Sequence, residues 1–226
     1  MKRIMADAEL FSLQAGMPKT LGEPGAADPN DREWTTALFK EAVHGPRWLG
    51  TTQLEGDGQA DRENHGGPDM AINVYPAEHY PHWAATLDRG TLPYGAFGEN
   101  FTTRGLVEDE VRIGDTFHVG AAVIVQVSQP RQPCWKIARR WRVKDLALQV
   151  QQTGFTGWYF RVLHEGPVAA GDTMRLGERG DPTWTISAVN RVVYGRKDDR
   201  AAARTLAACP TLSAGWKEML RQRADG

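Results

Sequence analysis

Cysteine is nearly absent from this chain. Cys134 and Cys209 are the only two in 226 residues, too few for an iron–sulfur cluster held by four thiolates or for a disulfide framework. No apolar run approaches the roughly 20 residues needed to span a bilayer. Asp7 and Glu9 interrupt the first apolar residues, which is unlike a secretory signal. These absences set the expectation of a protein of the reducing cytoplasm with no membrane partner. Net charge is also missing: 27 Lys and Arg stand against 28 Asp and Glu. A nucleic-acid polymer therefore has no global field to recognise, and any anion site must be a local cluster. Neither a Gly-x-Gly-x-x-Gly fingerprint nor a P-loop occurs, so a nucleotide phosphate has no recognisable cradle. A redox function would then need a cofactor bound another way and electrons from a partner.

What the chain does have is 24 glycines, 13 prolines and 8 tryptophans among many short strand-like runs. That composition predicts a β-rich body built on tight turns. Val123, Val125 and Val127 alternate with Ile124 and Gln126, the period of a half-buried strand. Further strands are expected at 9–15, 34–43, 157–163 and 173–176. Helices are expected at 76–86, with Pro76 as first helical residue, at about 134–142, and at 143–152 with Gly154 as the stop. Beyond about residue 181 the pattern changes to three short helices, 186–194, 198–207 and 212–221, with Asp198 and Thr211 as N-caps. The expected division is a domain of residues 1–180 followed by a small helical domain of 181–226. A weak internal echo relates VRIGDT (111–116) to VAAGDT (168–173), each placing a Gly-Asp turn before a strand.

Two stretches carry the chemistry. In SQPRQPCWK (128–136), Pro130 and Pro133 push Gln129 and Gln132 out of the helical region and stiffen the turn that presents Arg131 and Cys134. A helix starting past Pro133 would put Cys134 in a first turn, beside Arg131 and Lys136. In such a setting a thiol pKa falls from roughly 8.5 towards 7 or below, giving a nucleophile or metal ligand. The bland alternative is a small core residue, which is the reading adopted for Cys209. In the second stretch, residues 54–75, Asp57, Asp61, Glu63, His65 and Asp69 form a candidate hard-metal set, although their spacing matches no EF-hand loop. Alternatively, Gly66 and Gly67 turn their N–H groups, with His65, towards an anion, or His65 is purely structural. Asn100, in the Gly98-Glu99-Asn100 corner, either turns its amide inward or is an ordinary turn residue. Most of Arg139, Arg140 and Arg142 read as a solvated helical face, with a place in a pocket as the alternative. Two functional classes follow. Either Cys134 is a ligand or nucleophile beside an anionic group gripped by Lys19, Lys40, Arg131, Lys136 and His65, or the same residues form a non-catalytic module for a phosphorylated ligand.

Four segments in order resemble the MOSC family of molybdenum-cofactor proteins, in its YiiM-like branch. They are GDGQADRENHGGPDMAINVYPAEHYPHW, GAFGENFTTRGLVEDEVRIGD, VSQPRQPCWK and GWYFRVLHEGPVAAGD, and the similarity runs over residues 11–176. The resemblance implies a mixed α/β, mainly β fold: a MOSC-type β-barrel with peripheral helices, followed by a three-helix domain. It also implies a molybdenum–pterin cofactor with a cysteine ligand, which maps onto Cys134. His65, Asn100, Arg131, Lys136 and Lys40 fall in the implied cofactor pocket. Asn64 and Met70 depart from the family pattern, where an apolar and a basic residue are usual. The implied activity is reduction of small N-hydroxylated compounds, base analogues among them, with electrons from an external donor protein. The alternative within the family is a cofactor or sulfur carrier that uses Cys134 without turnover.

Overall fold

The computed structural model describes residues 7–61 and 66–226. Its strands are β1 (Ala8–Ala15), β2 (Lys19–Leu21), β3 (Trp34–Thr36), β4 (Glu41–Ala42), β5 (Arg47–Leu49), β6 (Ile72–Pro76), β7 (Phe101–Arg104), β8 (Thr116–Val119), β9 (Val123–Pro130), β10 (Trp158–His164), β11 (Gly166–Val168) and β12 (Thr173–Leu176). The helices are α1 (Tyr80–Thr86), α2 (Trp135–Trp141), α3 (Leu146–Thr153), α4 (Ile186–Asn190), α5 (Arg200–Ala207) and α6 (Ala214–Asp225). Seven strands form a barrel in the order β12-β8-β9-β10-β6-β7-β1, closed by pairing of β1 with β12. All its ladders are antiparallel except β6–β7. The fold is a mixed, mainly β barrel with peripheral helices and a C-terminal helical unit. Among the described residues, no helix is long and apolar enough to cross a membrane.

Alternation on β9 points Val123, Val125 and Val127 into the barrel core, while Ile124 and Gln126 are half-buried. Each buried valine contributes about 1.5–3 kcal/mol of transfer free energy. β6, by contrast, is buried along its whole length, because the barrel covers one face and α1 with its neighbours covers the other. The Gly-Asp echo proves to be one turn used twice. Asp115 Oδ2 accepts from Arg112 N at 2.9 Å and Asp172 Oδ2 accepts from Ala169 N at 2.8 Å. Gly114 and Gly171 take φ of +87° and +93°, which suits residues without a Cβ. The strands that follow, β8 and β12, are paired neighbours.

Several boundaries differ from expectation. The 34–43 run is not one strand: the Thr36 hydroxyl accepts from Leu38 N at 3.1 Å and turns the chain, leaving two short strands around a loop that carries Lys40. Pro76 ends β6, and α1 begins at Tyr80 after a 3-10 turn. α3 starts at Leu146 but stops at Gly154, in the left-handed conformation, as expected. The C-terminal caps shift to Asp199 and Ser213, whose side chains accept from Ala202 N and Trp216 N. The first C-terminal helix runs into a π turn at Arg191–Gly195. One contiguous apolar cluster joins barrel residues such as Phe117 and Val127 to Ile186, Leu206, Cys209 and Leu220 of the helical unit. A second cluster, with Tyr75, Trp83, Phe97, Ile137 and Leu146, seats α1, α2 and α3 on the barrel.

Gly157, at the start of β10, fastens the strand that leads to the cysteine. Its N–H donates to Glu108 Oε1 at 2.8 Å and its carbonyl accepts from Arg131 N at 3.1 Å. At φ +66°, a Cβ there would lie 2.1 Å from Val74 O. Gly157→Ala is therefore expected to destabilise the protein by about 3 kcal/mol. Urea unfolding checks this, and an unchanged midpoint would contradict the assignment.

Candidate functional site

Where β9 ends, Pro130 and the Arg131–Gly157 bond carry the chain out of the barrel, and α2 begins four residues later. Cys134 occupies the N-cap position in extended conformation (φ −115°, ψ 169°), one residue before the first helical turn, not within it. It is half-buried and outside any disulfide. It lines an open cleft, and Lys40, Asn100, Arg131 and Lys136 line the same cleft. Four of the five expected cofactor-pocket residues are thus brought together with the cysteine; the fifth, His65, lies outside the described residues. Lys19 is not among the lining residues; its ammonium sits 5.1 Å from the Phe39 ring centroid.

Lys40 and Asn100 are already engaged. The Asp57 carboxylate accepts from Lys40 Nζ and from Gly16 N (2.9 Å) through one oxygen, and from Asn100 Nδ2 (2.9 Å) through the other. Asn100 also donates to Gln14 O and accepts from Asn73 N, both at 3.2 Å, so its amide does turn inward, as a structural bracket. Burial pulls the Lys40 ammonium below its ordinary value, while the charges of Asp57 and Glu99 pull it back up. Asp57 was also one of the candidate metal ligands, and its place beside Lys40 gives it another role. Asp69, a second candidate, pairs with Arg161 at 2.8 Å and accepts from Ala214 N at 3.0 Å at the start of α6. Among the described residues no group of three or more His, Cys, Asp or Glu is placed to hold a metal ion.

Arg131 and Lys136 remain as cations of the cleft. Arg131 is only 4% exposed; its Nη2 donates to Phe97 O at 2.8 Å, and its Nη1 has no hydrogen-bond partner. Lys136 is half-buried. Tyr159 lines the same cleft beside Arg131, with its hydroxyl pKa raised by burial, lowered by the charge of Arg131, raised again by Cys134 and lowered by a side-chain hydrogen bond with Arg131. Asn73 and Tyr159 are cleft residues that the motifs did not single out. Both sit on barrel strands, and the strand-like AINVY run beside the glycines was the available signal for Asn73. Of the three arginines at and after the end of α2, Arg142 is solvated, whereas Arg139 and Arg140 are half-buried. Arg140 Nη1 donates to Leu38 O (2.7 Å) and Gly95 O (2.8 Å), Arg139 lies over Trp34, and Arg142 pairs with Asp31. They tie residues 30–38 to the end of α2.

The donor set has a defined chemistry: one sulfur, an uncommitted guanidinium arm and a second cation. A thiolate suits a soft or borderline metal, and guanidinium and ammonium groups suit an anionic ligand, so the residues present fit a metal carried on an anionic organic group. The Lys40–Asp57 pair can be tested separately. Asp57→Asn leaves a buried ammonium without its counter-charge and should cost about 3–5 kcal/mol. The double variant Lys40→Met/Asp57→Asn should recover most of that loss in urea unfolding. Because the folded state releases the Lys40 proton at lower pH than the unfolded chain does, wild-type stability should rise as pH climbs from the folded Lys40 value towards 10.5. The double variant should lack that rise.

Comparison with known proteins agrees with this architecture. The MOSC domain model matches residues 61–175, and the model of the YiiM-like, 3-alpha helix domain matches residues 184–225. The chain is 44% identical over 216 residues to protein YflK of Bacillus subtilis, covering 96% of this chain and 94% of that one. It is 35% identical over 182 residues to a protein of Gibberella moniliformis named "Reductase", covering 80% of this chain and 32% of the fungal one. The crystal structure of YiiM from Geobacillus stearothermophilus superposes with a TM-score of 0.79 at 38% identity, covering 96% of this chain and 99% of that chain. The cleft that holds Cys134 is therefore built on the barrel of a MOSC-family protein, and the chain belongs to that family, with the YiiM-like three-helix domain at its C-terminal end.

Proposed function

We propose that the cleft binds a molybdenum–pterin cofactor through Cys134 and that the protein reduces small N-hydroxylated compounds with electrons from a separate donor protein. The observation that carries this reading is the placement of a half-buried, unbridged cysteine in one cleft with a buried guanidinium that has a donor to spare. The association of MOSC domains with molybdenum cofactors supports it, as does a relative that bears the name reductase. When bound, the cofactor supplies the two-electron chemistry by which an N-hydroxyl group is removed.

The chain's own residues bind and orient. Cys134 offers its sulfur from a backbone stiffened on both sides, by Pro133 and by α2. Arg131, fixed by Phe97 O and through its own N–H by Gly157 O, holds a positive charge that cannot swing away. Lys136, on the first turn of α2, adds a second charge near the cysteine and attracts anionic groups to the mouth. Lys40, neutralised by Asp57, contributes rigidity to the wall in place of net charge. Tyr159 stays protonated across the physiological range, since burial raises its hydroxyl pKa, so it serves as a hydrogen-bond donor.

Molybdenum content tests the ligand. Protein made in a cofactor-competent host should carry stoichiometric molybdenum, and Cys134→Ser should lose most of it without unfolding. A wild type free of the metal, or a variant that keeps it all, would overturn the assignment. Turnover of an N-hydroxylated purine with an artificial reductant then separates enzyme from carrier, because a carrier holds molybdenum and leaves the purine unchanged.

A further inference from the structure

Two side chains of the cleft are half spent. Arg131 gives Nη2 to Phe97 O at 2.8 Å, and Asn73 gives Nδ2 to Gly98 O at 3.1 Å. The two carbonyls belong to consecutive residues, so both side chains are anchored on one short piece of backbone. A carbonyl oxygen only accepts, so the nitrogen end of the Asn73 amide must be the end that faces Gly98. What is left over is one donor, Arg131 Nη1, and one acceptor, Asn73 Oδ1. Neither has a hydrogen-bond partner, and their residues are only 4% and 8% exposed. Both residues line the cleft. Buried polar atoms in native proteins are seldom left unpaired. The fold does not need these two arms, since each side chain is already tethered by its other one. Of the neighbouring polar groups, Asn100 and Lys40 are taken up by Asp57, and the Tyr159 hydroxyl approaches the Arg131 guanidinium without engaging Nη1.

We infer that Asn73 and Arg131 form a donor–acceptor pair that reads a ligand edge carrying an acceptor atom beside an N–H, the edge of an amidine or a lactam. Arg131 Nη1 donates to the ligand's amidine nitrogen, ring nitrogen or carbonyl oxygen, and Asn73 Oδ1 accepts from the adjacent N–H. The choice of ligand class rests on the function proposed above; the pair itself rests on two unpartnered atoms of cleft-lining residues anchored on consecutive carbonyls. Two sources carry such an edge. One is an N-hydroxylated amidine or adenine analogue acting as substrate, and the other is the pterin ring of the cofactor. The same two residues would recognise either, and rejection of an analogue lacking one hydrogen-bonding atom would follow because a buried group is left unpaired.

The experiment compares benzamidoxime with its N,N-dimethyl derivative, which lacks the N–H, by calorimetry on wild type and Asn73→Leu, each with and without loaded cofactor. Pterin and molybdenum content are measured on the same samples and on Arg131→Lys. With the substrate as source, wild type prefers benzamidoxime by about tenfold, Asn73→Leu loses that preference, and cofactor content is unchanged. With the pterin as source, neither protein shows a preference, and both variants lose cofactor during gel filtration. No preference in wild type together with full cofactor retention in both variants overturns the inference. The wild-type comparison of two ligands remains informative even if Asn73→Leu folds poorly. If wild type proves free of molybdenum, the proposed function fails while the preference of the cofactor-free protein still decides the pair.

Discussion

A buried carboxylate has to be paired, and Asp57 is paired three times over. Its two oxygens bind the ammonium of Lys40, the backbone N–H of Gly16 and the amide of Asn100. Those partners come from the end of β1, the loop before β4 and the corner before β7, segments with no local reason to meet. Desolvating two charges is expensive, so the pair forms only where this geometry is complete. One part of the cleft lining is thus a set of groups that hold one another, and the same cleft is lined by Cys134 and by Arg131, whose Nη1 has no hydrogen-bond partner. The self-satisfied cluster and the spare guanidinium arm together give the cleft its chemistry.

Much of the fold could be read locally. The alternation of Val123, Val125 and Val127, the stop at Gly154 and the repeated Gly-Asp turn each depend on residues within a few positions of one another, and each appears in the structure where expected. Cys134 and Arg131 were legible for the same reason, since two prolines act on their nearest neighbours. What could not be read depends on distant partners. Lys40 carries no mark of the carboxylate 17 positions away, and Asn73 looks like any polar residue in a strand until Gly98, 25 positions on, takes its nitrogen. Arg139 and Arg140 looked solvated because their acceptors are backbone carbonyls in remote loops. The cap residues moved by one or two positions because neighbouring Asp and Ser side chains compete for the same role, a choice that packing settles.

The glycine-rich segment also depends on the helical unit for its position. The Ser128 hydroxyl donates to Asp69 O at 2.5 Å and to Tyr159 O at 3.1 Å, and Ser128 O accepts from Ser213 N at 3.0 Å. Asp69 itself reaches Arg161 and the first turn of α6. The residue next to it, Met70, lines the cleft. Asp69, in the turn Pro68–Met70, is thus held by a helix more than 140 positions later in the chain.

The shared apolar cluster extends that dependence. Phe117 and Val127 of the barrel and Leu206 and Leu220 of the C-terminal helices belong to one continuous interior, and Ser213 is bonded to the strand that leads to Cys134. Such a union behaves as one cooperative unit. The helices cannot fray open without loosening the strand that presents the sulfur, so removing them would alter the cleft even though none of their residues lines it.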